Sequence, residues 1–108
     1  MGLFNRGKLD INTGLVQCQA DPTASLLDVR TPEEYNHRRI PGSRNLPVDE
    51  IGRAKFVVPD KSTPVYVYCE TGGRSGRAAS ILKQLGYTAV HDLGGISKYK
   101  GRTEGGPR

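Results

Sequence analysis

The chain has 108 residues, 35% of them apolar and 25% charged, and a net charge of +5 from 16 Lys and Arg against 11 Asp and Glu. This length and balance describe one globular domain with a single modest core, and exclude a disordered chain. No apolar run approaches the roughly 20 residues that span a bilayer, and the dispersed basic residues lack the interleaved aromatics of a nucleic-acid surface, so the positive field is read as favouring small anions.

Residues 1–10 are polar and rich in Gly and Lys, and read as a loose segment without a signal-peptide core. Arg6 stands where a myristoylation signal has Ser or Thr. The expected location is cytoplasmic, with no membrane partner. Ile11 to Ala20 forms a short helix, broken at Asp21-Pro22. Ser25-Leu26-Leu27-Asp28-Val29 is an apolar run of strand length. Thr31-Pro32-Glu33-Glu34 then starts a helix: Thr31 caps, Pro32 fits the first position, and Glu34 completes a capping box. Pro41-Gly42 stops it.

A short extended piece follows over Ser43 to Leu46, then a helical segment over Val48 to Val58 and a turn-rich connection to Pro64. Val65-Tyr66-Val67-Tyr68 is β-branched and aromatic throughout, so both faces are expected to be covered. Ala78, Ile81, Leu82 and Leu85 recur at helical spacing and read as core, with Gly86 as the stop. Thr88 to Leu93 is the last strand, Gly94-Gly95 and a short segment to Tyr99 follow, and residues 102–108 read as a frayed tail. The working domain is therefore 11–101. Alternating strands and helices mark an α/β, three-layer fold, a mainly parallel sheet covered on both faces. Ligands of such sheets lie beyond the carboxyl ends of strands.

Cys69 stands at that position. It opens Cys69-Glu70-Thr71-Gly72-Gly73-Arg74-Ser75, a tight loop leading directly into a helix. Gly72 and Gly73 permit unusual backbone angles and let amides approach an anion, Arg74 adds a fixed positive fork, and Ser75 is placed to cap the helix and offer a hydroxyl. Inward N–H groups and the helix dipole form an anion nest, and such surroundings make a thiol a nucleophile at neutral pH. The constellation points to a thiol enzyme acting on small anions or sulfur. Cys18 reads as a buried structural thiol, reduced like Cys69, and the spacing of Cys18, Cys69, His37 and His91 matches no metal site. Asp28 and Arg30 read as an ion-pair network near the loop, with Arg30 meeting Glu34 as the alternative, while Glu70 reads as facing solvent. Arg74 either braces the loop or touches substrate.

The loop resembles the active-site loop of rhodanese-like domains, and three further stretches extend the resemblance. Leu27-Asp28-Val29-Arg30-Thr31-Pro32-Glu33-Glu34-Tyr35 and Ile40-Pro41-Gly42-Ser43-Arg44-Asn45-Leu46-Pro47 look like the family's first two signatures, and Asp92-Leu93-Gly94-Gly95-Ile96 is similar to its closing motif. The resemblance implies a sulfurtransferase without metal or organic cofactor: Cys69 takes a sulfane sulfur as a persulfide, and Glu70, Thr71, Gly72, Gly73, Arg74 and Ser75 bind the substrate, supported by Asp28 and Arg30. Donors would be thiosulfate or a persulfide. Acceptors would be cyanide, a thiol or a sulfur-relay protein, and nothing asks for more than a monomer. Four residues separate Cys69 from Arg74, one fewer than in phosphatases that look like Cys-x5-Arg, which favours sulfur over phosphorus. Glu70 stands where thiosulfate-using members carry positive charge, Arg39 where His precedes the second motif, and Tyr99 where Trp is common. Competing readings are a non-catalytic or sulfur-carrier docking module of the same fold, and a Cys-dependent phosphatase or arsenate reductase.

Overall fold

A computed structural model describes residues 9–106. Four strands, β1 (Ser25–Asp28), β2 (Arg44–Asn45), β3 (Val65–Cys69) and β4 (Val90–Gly95), pair in parallel in the order β2-β1-β3-β4. Three α-helices, α1 (Ile11–Gln19), α2 (Pro32–His37) and α3 (Gly73–Gln84), and two 3₁₀ segments, Val48–Phe56 and Ile96–Lys98, complete it.

Alternation along the inner strands builds two cores. Leu27, Val29, Val65, Val67 and Cys69 face Val48, Ile51, Ala54, Ala78 and Leu82. Leu26, Tyr66 and Tyr68 face the opposite way, onto Ile11, Leu15, Cys18, Ile40 and Ile96. The three-layer expectation holds, and every residue of β3 is buried because helices cover both faces. Fully buried Leu27 and Leu82 each contribute about 2 kcal/mol of hydrophobic stabilisation. Burial also pushes the Cys18 thiol up to about 11, with the Asp21 carboxylate adding to the effect.

α2 starts as its sequence predicts. The Thr31 hydroxyl accepts from the Glu34 amide at 3.2 Å while the Glu34 carboxylate accepts from the Thr31 amide at 2.9 Å. Other elements differ from expectation. Residues 48–56 are two 3₁₀ turns meeting at Arg53 (φ −96°, ψ 17°) rather than one α-helix. β4 begins two residues later than expected and absorbs Gly94-Gly95. Leu85 is 36% exposed, because it lies just past the last residue of α3, at its C-cap.

Most of the segment read as loose, residues 1–8, lies outside the described residues, as do 107 and 108. Leu9 and Asp10 are engaged: the Leu9 amide donates to the Asp92 carbonyl, and Asp10 caps α1 through the Thr13 amide. The expected frayed tail is also held. Glu104 and Arg39 exchange both backbone hydrogen bonds at 2.8 and 2.9 Å, and the Gly106 amide donates to the Asn36 carbonyl. No helix among the described residues is long and apolar enough to cross a membrane.

Candidate active site

β3 ends at Cys69 in the middle of the sheet, between β1 and β4. There the register with β4 slips: Val67 pairs with Asp92, but Cys69 pairs with Gly95. The extra residue in β4 is a bulge, turning that strand toward the loop. Gly95 must be glycine, since a Cβ there would stand 2.3 Å from the Glu70 carbonyl oxygen and 2.6 Å from the Thr71 Cα. The loop therefore rests directly on the backbone of β4, an arrangement reinforced by the Ser97 amide donating to the Glu70 carbonyl at 3.1 Å.

The Cys69 sulfur, 1% exposed, accepts from the Gly72 amide at 3.0 Å and the Ser75 amide at 3.2 Å. Gly72 has φ +117°, and this left-handed residue aims its N–H back at the sulfur before α3 begins. Gly73 differs from expectation: its φ is negative, it is already helical, and a Cβ there would meet nothing. Ser75 differs too. It is the third helical residue rather than the cap, and its hydroxyl donates to the carbonyls of Gly72 at 3.1 Å and Gly94 at 3.3 Å, tying loop to β4. The sulfur thus faces two backbone donors at the amino end of a 12-residue helix, an arrangement that complements negative charge there.

Two guanidiniums flank the loop, and both are engaged by carboxylates. Arg30, 3% exposed, binds Asp28 through Nε and Nη2, at 2.8 Å for the shortest contact, and reaches Glu70 through Nη1 at 3.1 Å. It also donates to the Arg38 carbonyl and lies 5.8 Å from the Tyr68 ring centre. Glu70, half-exposed, is accordingly an ion-pair partner and not simply solvent-facing. The Asn45 amide fastens the end of β1, donating to the Asp28 and Arg30 carbonyls. Arg74 makes a two-pronged pair with Glu34, at 2.8 and 3.1 Å. Glu34 therefore belongs to Arg74 rather than to Arg30. The Arg74 hydrogen bonds hold the Glu34 carboxyl down at about 2, and Glu34 in turn raises Arg74.

The loop that begins at Cys69 lies, with Asp28 and Arg30, at the carboxyl end of the two inner strands, β1 and β3. The partnership of Glu34 with Arg74 and the wall formed by Gly94 and Gly95 were not visible in the sequence. Glu34 already satisfies a local motif, and 40 residues separate it from Arg74. Beside the loop, a cleft of about 370 Å³ is lined by Thr71, Gly95, Leu93, Asp10 and Lys98 among others. Among the described residues no group of three His, Cys, Asp or Glu side chains is arranged to hold a metal ion.

The chain is similar to several known proteins. The thiosulfate sulfurtransferase PspE of Escherichia coli is 44% identical over 71 residues, covering 65% of this chain and 68% of that protein. The protein YqhL of Bacillus subtilis is 42% identical over 81 residues, covering 73% and 63%. The chain thus spans about two thirds of the length of both curated relatives. A solved structure described as a rhodanese with anions from E. coli matches with a TM-score of 0.72 and 38% identity, over 77% of this chain and 99% of that one. The model of the rhodanese-like domain matches residues 12–102. With that match covering most of the chain, and a cysteine loop seated at the end of the central parallel strand, the chain belongs to the rhodanese-like domain family.

Proposed function

We propose that this chain is a sulfurtransferase in which Cys69 carries the sulfur. The observation that carries the reading is the Cys69 sulfur accepting two loop amides, at 3.0 and 3.2 Å, at the carboxyl end of β3. In the first half-reaction a lone pair of the Cys69 thiolate forms a bond to the sulfane sulfur of a donor. The bond from that sulfur to the rest of the donor breaks, and its electron pair leaves on sulfite or on a thiolate. In the second, a nucleophilic acceptor attacks the outer sulfur of the Cys69 persulfide, and the S–S electron pair returns to Cys69. No net redox partner is needed. The loop amides, at the positive end of α3, stabilise the charge on sulfur in both halves.

In this reading Glu70, Thr71, Gly72, Gly73 and Ser75 form the cradle through their backbone, Arg74 braces it from outside, and Asp28 with Arg30 supports it from β1. Acceptors are thiols, cyanide or a sulfur-relay protein. The loop of four residues between Cys69 and Arg74 supports sulfur over phosphoryl chemistry, since a phosphoryl group needs a wider cradle. Intact mass spectrometry after incubation with thiosulfate or a glutathione persulfide tests this. The expected result is a gain of one sulfur that disappears in Cys69→Ala. No adduct with either donor would overturn the reading and favour a docking module, while Cys69-dependent hydrolysis of an aryl phosphate would favour a phosphatase.

A further inference from the structure

The charge around the cradle is the feature the sulfur-transfer reading does not use. Arg30 and Arg74 are the guanidiniums against the loop, and each is already engaged: Arg30 by Asp28 at 2.8 Å and Glu70 at 3.1 Å, Arg74 by both oxygens of Glu34 at 2.8 and 3.1 Å. Three carboxylates thus face two guanidiniums, so the side chains leave the site net negative. Arg77, further along α3, lies 3.9 Å from Asp49. The neighbouring cleft is balanced as well, with Asp10 and Lys98 both lining it. What attracts an anion to Cys69 is the backbone: the Gly72 and Ser75 amides and the end of α3. These dipoles act at short range and suit one unit of charge on a sulfur. They do not offset repulsion between a dianion and unscreened carboxylates.

We propose that Glu34 and Glu70 are specificity-determining residues of the donor step, cancelling Arg74 and Arg30 so that the cradle takes sulfur from neutral or singly charged sulfane donors, the hydropersulfides of thiols, in preference to dianionic thiosulfate. This inference rests on sulfur transfer through Cys69 and concerns only the identity of the donor. The bond changes are those already written, and the leaving group is a thiolate, which takes the proton that the hydropersulfide loses.

The test compares thiosulfate with methanethiosulfonate, which presents the same sulfane sulfur with one negative charge fewer. The rate of Cys69 persulfide formation is followed by quenched mass spectrometry, with an alkyl hydropersulfide as the third donor. The comparison is made at moderate ionic strength, where the long-range attraction of the chain's net +5 charge is screened and the charges beside the cradle dominate. Glu70→Gln and Glu34→Gln are each expected to raise the thiosulfate-to-methanethiosulfonate ratio roughly three- to tenfold, the scale of one charge at a partly exposed site. A purely structural role for either glutamate would slow all donors together and leave that ratio unchanged. A ratio insensitive to both substitutions would overturn the proposal while leaving sulfur transfer intact; should the variants fail to fold, the two donors' rates with the unmodified protein, each divided by the same donor's rate with a free thiol in solution, decide, and equal quotients overturn it. Absence of any adduct from all three donors overturns the underlying sulfur-transfer reading and this proposal with it.

Discussion

Glu34 serves two masters with one carboxylate: it accepts from the Thr31 amide at the start of α2 and from both ends of the Arg74 guanidinium. Its carboxyl is held near 2 instead of the ordinary 4.5, chiefly by the Arg74 hydrogen bonds. A depressed carboxyl stabilises the fold above its unfolded pKa and loses that contribution as pH falls through the folded one. The window is therefore pH 4.5 down to 2. With the side chain one-third exposed, solvent screening reduces the effect to about 1 kcal/mol. Urea unfolding across this window is expected to show the stability gap between the unmodified protein and Glu34→Gln shrinking as the pH drops; a constant gap would contradict the pairing. Cys18 gives a second residue-scale prediction. Its thiol is pushed up to about 11 from 9.0 by burial, so near neutral pH it holds about 100-fold less thiolate than an ordinary cysteine. Alkylation followed by peptide mapping is expected to find Cys18 unmodified until the protein is denatured.

Elements meet at the loop through backbone, and glycine positions decide how closely. Gly95 of β4 leaves no room for a methyl group, because the atoms in the way are the Glu70 carbonyl and the Thr71 Cα. Gly95→Ala is expected to displace the cradle, reduce Cys69 loading at least tenfold and cost about 2 kcal/mol of stability as an overpacked site. Gly73→Ala is the contrast. Gly73 opens α3 with space around it, so alanine there is expected to be neutral or to stabilise by about 0.5 kcal/mol. Single-turnover loading and urea midpoints measured on both variants check the pair. The same chemistry, a single added methyl, thus has opposite consequences only 22 residues apart, set by whether backbone or solvent lies opposite.

At the scale of the whole molecule, the carboxyl end closes over α2. Arg39 and Glu104 share two backbone hydrogen bonds and a side-chain pair at 3.2 Å, and a Cβ on Gly105 would stand 2.1 Å from the His37 carbonyl oxygen. Because α2 carries Glu34, this contact lies one step from the cradle. Removing residues 102–108 is expected to lower stability by about 1 kcal/mol, given the modest net value of exposed hydrogen bonds, and to speed hydrogen exchange at the Arg39 amide. Unchanged exchange at Arg39 would show the contact to be unimportant in solution.

The sequence by itself determined the order of elements, the parallel α/β architecture, the capping box at Thr31 and the position of Cys69 at a strand end, because each is written in residues close together in the chain. Periodicity, caps and strand composition are local physics, and local physics is legible. The tail over 102–106 was misread because its hydrogen bonds go to Asn36 and Arg39, more than sixty residues away, and a polar, Gly-rich stretch carries no mark of a distant partner. Leu85 kept helical spacing yet fell outside the core, since spacing says which face a residue shares and not how far the sheet extends beneath it. Only the tertiary structure decided how the loop's charges pair. Arg30 had candidate partners on either side, and the carboxylate nearest to Arg74 in sequence, Glu70, is not the one it binds. The parallel crossover from α2 to β3 and α3 brings Glu34 to Arg74 and Glu70 to Arg30, and ion pairing depends on distance in space. The place of Cys69 at the end of an inner strand was therefore readable from the chain, while the pairing of the charges around its loop emerged only when the chain was folded.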